Sequence, residues 1–326
     1  MSLPFQVVYP DEIKISTDRV RALVDTYRDR QRTGLIRLAY SPDKLVYLFF
    51  QRGLLLNSYS AEGGSGQRIS DWVKTPGESG QAYARLIPLS SFALEMCQLA
   101  IESAADQTET IPASNLRASL DKEWNQTVNP MLLHLGWEAA EGLVFFQGGR
   151  LEGHSVFFSA DRLLDEAGIS PTFSFWSEPE ARVTSYQINL DLPAWQEYTL
   201  RRAFAEICEQ ALLRYEQITG RAIVDSIVRS LILYTSRQSL EINMAARHVI
   251  NQEFFSTPQA GAEVYRALLK IMLDQVSQII GSKLSLSIIS DVTAGLRFDE
   301  FKVARDFSIL PYELFRADKL KDVPNA

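Results

Sequence analysis

The spacing of apolar residues along this chain changes character at two places. Between 11 and 31, Ile13, Val20, Leu23, Val24 and Tyr27 recur at helical intervals, predicting an amphipathic helix. Gly34 ends that period. Residues 35–40, 45–50 and 54–59 are dense runs of β-formers, separated by Ser41-Pro42-Asp43-Lys44 and by Gln51-Arg52-Gly53. Both separators have turn chemistry, so the three runs predict an antiparallel meander. Residues 60–81 form a long Gly-rich excursion around Trp72, with Gly63-Gly64-Ser65-Gly66 at its start. A strand over 83–89 follows, then a helix to 101 capped by Ser90 or Ser91. Residues 105–110 are polar and unpatterned and read as a linker.

The pattern then starts again. A helix from Ser114 carries Leu116, Leu120 and Trp124, and 130–135 is a short apolar stretch. Strands are predicted over 142–146 and 151–158, joined through Gln147-Gly148-Gly149-Arg150, and again over 171–176 and 182–190. The second change comes at Pro193. Residues 194–217, 221–252, 259–280 and 283–292 all read as helices, and their short connections predict an antiparallel bundle. Residues 298–314 mix apolar and charged positions and read as a docking arm. The fold class is α+β: antiparallel hairpin or meander modules with helices, followed by an all-α bundle. The expected boundaries are 1–105, 106–192 and 193–326.

One motif occurs twice. Phe49-Phe50-Gln51-x-Gly53-x-Leu55 returns as Phe145-Phe146-Gln147-x-Gly149-x-Leu151, 96 residues later. A tight hairpin turn needs a residue at positive φ, which gives Gly53 and Gly149 a structural task and the two modules a possible common origin. The strand, turn and strand around this motif resemble the PATAN-type domain of bacterial signalling proteins. Thr33-Gly34-Leu35-Ile36-Arg37-Leu38 is similar to that family's T-G-x-L-x-L opening, with Ile36 in place of the first leucine. The second copy lacks the opening. The resemblance covers about a third of the chain. It implies a non-catalytic module that makes protein contacts, often beside a receiver domain, although no receiver pattern is present in this sequence.

Composition narrows the functional class. Hydrophobic residues are 46% of 326, enough for a sizeable core, and 33 basic residues stand against 40 acidic ones. An acidic chain disfavours general nucleic-acid binding. Cys97 and Cys208 are far apart and lie in apolar helical patterns, as reduced core residues do. The absence of a signal-peptide pattern or a long apolar span points to the cytoplasm, with no direct membrane insertion.

Candidate chemistry is sparse. His134, His154 and His248 fall in three segments without metal-ligand spacing, so neither a metal nor a cofactor is expected. No nucleophile elbow or phosphate-loop spacing occurs, and Glu141, Glu178 and Glu180 look like ordinary carboxylates. Arg237 and Arg247, near Asn243 on the predicted 221–252 helix, are about 80° apart around its axis and could converge on an anion. Along with Trp72 they are the candidate ligand or partner contacts. The wide stripe of Ile223, Val224, Ile227, Val228, Leu231, Ile232 and Leu233 predicts burial on two sides, between neighbours or in a homodimer. The expected role is a non-enzymatic regulatory or scaffold protein of bacterial signal transduction. Its partner would be a response regulator, a kinase or a small GTPase. The alternative is a sensor of a small anion or nucleotide, held in the bundle or between the modules.

Overall fold

The computed structural model describes residues 13–41, 44–60, 81–126, 130–137, 140–146, 153–159, 163–167, 180–245, 248–253, 255, 257–311 and 314. The fold is α+β, with antiparallel sheets followed by helices. The chain divides into two compact units, Met1–Leu192 and Pro193–Ala326.

Among the described residues, the first unit contains two sheets. One has the order β1-β5-β2-β3-β4, built from Ile13–Ser16, Gln81–Pro88, Gly34–Ser41, Lys44–Gln51 and Leu54–Ser60. The other has the order β10-β9-β8-β7-β11-β6, built from Leu163–Ala167, Gly153–Ser159, Ala140–Phe146, Met131–Gly136, Glu180–Gln187 and Ala104–Pro112. The strand order of the first sheet is repeated in the second, which adds β10 at one end. The helices α1 (Thr17–Asp29) and α3 (Ala113–Gln126) precede equivalent strands. Their cores are separate but alike. Val20, Val24 and Tyr27 pack on Ile36, Leu38, Val46, Leu48 and Phe50, whereas Leu116 and Leu120 pack on Leu133, Leu135, Val144 and Phe146. The second helix, α2 (Ser91–Glu102), packs against both sheets, and its Phe92 ring meets Phe145 edge-on at 5.9 Å. Ser90 caps it by accepting from the Ala93 N–H.

Gly53 closes the β3–β4 hairpin as the second residue of a two-residue turn, with Arg52 at φ 46° and Gly53 at φ 78°. These positive values give the twist that a hairpin turn requires. The turn is also pressed against the end of α1: Gly53 donates its N–H to the Arg32 carbonyl, and a Cβ at Gly53 would lie 2.2 Å from the Arg28 carbonyl oxygen. Gly149, its sequence counterpart, lies outside the described residues, as does the predicted strand over 171–176.

Several predicted elements change. The 11–31 helix starts only at Thr17, because Ile13 and Ile15 pair as strand residues with Ala84 and Ala82. The linker over 105–110 is the strand β6. Its ladder to β11 needs only backbone groups, so a strand exposed to water along its length shows no hydrophobic alternation. The strand β10 has no counterpart among the predicted elements.

The second unit is helical, with α4 (Pro193–Thr219), α5 (Arg221–Arg237), α6 (Pro258–Ile280), α7 (Ser282–Gly295) and α8 (Phe298–Asp306). It is built from one two-helix unit used twice. Gln217-Ile218-Thr219-Gly220 and Gln278-Ile279-Ile280-Gly281 each join a long helix to a shorter one, 61 residues apart. Both glycines sit in the same conformation, φ 85° and 83°. The helix α4 packs on α6 and α7, and α6 reciprocally on α4 and α5. Phe204 and Tyr265, equivalent at the same offset, stack on each other with ring centroids 4.5 Å apart. One pair of equivalent residues, Phe204 and Tyr265, thus meets across the two hairpins, which share a single core.

The predicted 221–252 helix ends at Arg237. Ser239 takes φ 56°, and the Leu240 and Ser239 N–H groups bond back to Thr235 and Ser236, the pairing that stops a helix at a left-handed residue. A hairpin follows instead, β12 (Ile242–Ala245) and β13 (His248–Asn251), with Ile242 and Met244 facing the core. The wide stripe on α5 is absorbed inside the unit. Val224, Ile227 and Leu231 are buried, Ile223, Val228 and Ile232 pack partly on the same core, and Leu233 is left exposed. The central helix is α4, not α5. The predicted C-terminal arm is also part of this core: Phe301, Val303, Ala304, Ile309, Leu310 and Leu314 are buried in it.

Candidate functional site

Among the described strands of the first unit, β6 is exposed along nearly its whole length. It is one of the two outer strands of the six-stranded sheet, nine residues long, and all but Ile111 are exposed. Its inner side is well held. Thr184 stands opposite Thr108, with their hydroxyls 3.1 Å apart. Next to this pair the register slips: Tyr186 faces Ala105, so Asp106 and Gln107 together oppose Ser185. This is a β-bulge on β6, a feature that re-aims side chains at sheet edges. The Gln107 N–H is satisfied by the Ser185 hydroxyl, and Asp106 accepts from the Gln187 side-chain amide at 3.1 Å.

At the bulge a cavity of about 400 Å³ opens, lined by Asp106, Met131, Tyr186, Gln187, Ile188 and Leu190 together with Pro130 and Ser185. Its walls are about equally polar and apolar. Among the described residues, Asp106 is the only ionisable group in the lining apart from the phenol of Tyr186.

The equivalent edge of the other sheet is built differently. Along β1, Lys14 stands opposite Tyr83 of β5 and lays its ammonium over that ring, 6.0 Å from the centroid. A lysine on an edge strand opposes pairing with another strand. The β6 edge carries Asp106 and Glu109 and no basic residue.

Other polar groups of this unit are structural. Arg37 and Arg85 stand directly opposite each other on β2 and β5, 2% and 8% exposed. Two carboxylates, Glu95 and Glu141, are buried in the same unit, so the buried formal charges balance among the described residues. Glu141 lies 3.1 Å from the imidazole of His134 across β7 and β8, a satisfied core histidine. Tyr59 donates to Glu102 and accepts from Asn57 and Gln98. Burial pushes the Glu102 carboxyl above its ordinary value, opposed by the Tyr59 hydrogen bond, and it pushes the Tyr59 phenol up as well.

The residues singled out in the sequence are not brought together. Arg237 is the exposed last residue of α5, where the helix stops, so the proposed convergence with Arg247 on one long helix does not exist. Arg247, Trp72 and Glu178 lie outside the described residues. His154 is on β9, and His248 is exposed on β13, 3.6 Å from Glu209 of α4. Glu180 is exposed at the start of β11. Cys97 and Cys208 are buried free thiols, and burial pushes the Cys208 thiol far up, which keeps it inert. Among the described residues no group of three His, Cys, Asp or Glu side chains converges as a metal site, and no helix is long and apolar enough to cross a membrane.

Sequence reading missed β6 and its cavity. A signal was present in Thr108-x-Thr110, since β-branched residues at alternate positions favour a strand even between acidic ones.

No family model matches the chain, and no curated protein does. Among solved structures it is similar to a DNA polymerase III beta-like protein from Eubacterium rectale, at 11% identity over 59% of this chain and 68% of that one. The TM-score is 0.13, too low for any argument about fold or function.

Proposed function

We propose that this chain is a non-catalytic protein-interaction module, of regulatory or scaffold type, that binds an extended segment of a partner by adding it as a strand to β6. The observation that carries the reading is the open edge itself. A long exposed edge strand is a template for pairing, and proteins usually block such edges. A bulge, two carboxylates and Pro112 modify β6, but no lysine or arginine stands on it, and all of its residues except Ile111 are exposed. In strand addition, main-chain hydrogen bonds give affinity and nearby pockets give specificity, and the cavity that Asp106 helps to line supports this reading.

The PATAN-type resemblance points in the same direction. It suggests a cytoplasmic partner from bacterial signalling, such as a response regulator, a kinase or a small GTPase. The alternative, a sensor of a small anion or nucleotide, is less favoured at this cavity because its lining charge is a carboxylate.

Amide hydrogen exchange of the full chain with an array-selected extended peptide tests the reading. Bound peptide is expected to protect the amides of 104–112 and to leave those of 13–16 unchanged. Protection elsewhere, with none on β6, would overturn it.

A further inference from the structure

The register of the six-stranded sheet determines which backbone groups of β6 face outward. Along an antiparallel strand, residues alternate between turning both N–H and C=O to one neighbour and turning them to the other. The Trp137 N–H bonds to the Ala140 carbonyl at 2.8 Å, so in the same ladder Leu133 and Leu135 face β8. His134 and Gly136 therefore face β11, opposite Thr184 and Arg182. Ala181 and Val183 then face β6, opposite Ile111 and Glu109. Thr108 and Thr110 are left with N–H and C=O directed out of the sheet. Two contacts have the geometry that this alternation requires. The Gln107 N–H turns inward, onto the Ser185 hydroxyl. The Thr108 and Thr184 hydroxyls lie 3.1 Å apart, as expected where opposite residues share no backbone bonds and their side chains come closer.

Beyond the bulge, Tyr186 faces β7 by the same alternation, so Ala105 opposite it faces outward. The outward positions therefore run Ala105, Thr108, Thr110. The bulge has inserted one residue and broken the two-residue repeat. At the other end Pro112 has no N–H to offer. A regular strand repeats every second residue. It can pair with Thr108 and Thr110, but it is out of step at Ala105 and finds no donor at Pro112.

We infer that β6 takes up only a short extended segment, about three to five residues, held by the N–H and C=O groups of Thr108 and Thr110 and carrying β-branched residues beside those threonines. This inference rests on the strand-addition reading of β6 and adds the register and length of what is bound. It also gives the bulge and Pro112 a function. They frame a window too short for the long edge strand of a second copy, which is the pairing that leads to edge-to-edge aggregation.

The test uses the full chain and fluorescent peptides of alternating Thr and Val with three, five, seven or nine residues, and binding is read by polarisation. Affinity is expected to rise up to the five-residue peptide and then to stay within about twofold, since further residues find no backbone partners. N-methylation of the five-residue peptide, one amide at a time, should weaken binding about tenfold at alternate positions and little at those between, the effect of one lost hydrogen bond. Amide exchange read residue by residue should show Thr108 and Thr110 protected by the nine-residue peptide and Ala105 unchanged. A steady gain in affinity from five to nine residues, with Ala105 also protected, would overturn the inference and leave strand addition standing. Equal sensitivity to N-methylation at every position, with β6 amides still protected, would also overturn it. Failure of every peptide to bind would remove strand addition and the inference together.

Discussion

Both units are built from a duplicated piece, but the two duplications are held together in different ways. In the first unit each copy is an α+β layer with its own hydrophobic cluster, under α1 in one case and under α3 in the other. In the second unit the copies share one core, and Phe204 stacks on its own counterpart Tyr265. The reason lies in how much each copy can satisfy alone. A sheet pairs its backbone internally and needs one helix to cover a face, so an α+β copy can bury a core of its own. A two-helix hairpin leaves its apolar stripe open, and here the two hairpins cover each other while α8 and the β12–β13 hairpin close the same core. Duplication therefore leaves the α+β copies free to diverge at their edges, as β1 and β6 have done. It constrains the helical copies at their shared face.

The sharpest way to break this comparison is at the Phe204–Tyr265 ring pair. Phe204→Ala is expected to cost about 3–5 kcal/mol and to destabilise all of 193–326 together. Tyr265→Ala should do the same. The double variant should depart from the sum of the singles by about 0.5–1.5 kcal/mol, the worth of a ring pair. Urea unfolding and hydrogen exchange measure this. A loss confined to α4 and α5 would show that the copies do not share a core.

Next come the glycine turns. Gly53→Ala is expected to cost about 3 kcal/mol, because it adds a clash with the Arg28 carbonyl to the strain of positive φ. Gly281→Ala has a similar φ but nothing within 4 Å of the new Cβ, so about 1–2 kcal/mol is expected. Equal losses in thermal melts would remove the distinction between a packed turn and an open corner.

A smaller effect of opposite sign is expected at the end of α5. Ser239→Gly relieves a non-glycine residue at φ 56°, and a gain of about 0.5–1 kcal/mol should follow despite the looser unfolded chain. A loss in denaturant titration would mean that the serine side chain contributes more than the relieved strain.

The last effect is a pH dependence confined to the first unit. The folded-state pKa of Glu102 is raised above its ordinary value of 4.5, mainly by burial. The folded protein therefore binds its proton more tightly than the unfolded chain. The contribution of Glu102 to stability is fully present below about pH 4.5 and is lost as pH rises through the raised pKa. The stability of the natural protein relative to Glu102→Gln should fall as pH rises across that window. A flat difference would show that Glu102 titrates normally.

Much of this was written in local pattern. The β2–β3–β4 meander, the Ser90 cap and the starts of α4 and α6 follow from alternation, turn residues and helical period. The missed features have a common cause. The helix α5 stops at Ser239, not at a glycine, so the residue that usually marks a left-handed cap is absent. Gln31 and Ser308 end α1 and α8 in the same way. The strand β6 has no apolar alternation because neither of its faces is buried. The duplicated helical hairpin was legible in Gln-Ile-x-Gly, but such a short motif gains meaning only when Phe204 and Tyr265 are seen to meet.

The sequence by itself determined where most chain segments are helical or extended, because hydrophobic period and turn chemistry act between near neighbours. It also determined the α+β class and the change to helices at Pro193. Only the tertiary structure decided which strand lies at an edge, which carboxylate a bulge turns into a cavity, and that two helical hairpins share one core. Those outcomes depend on pairing between residues far apart in the chain. A polar strand such as β6 has the same local composition whether its outer edge is covered or open.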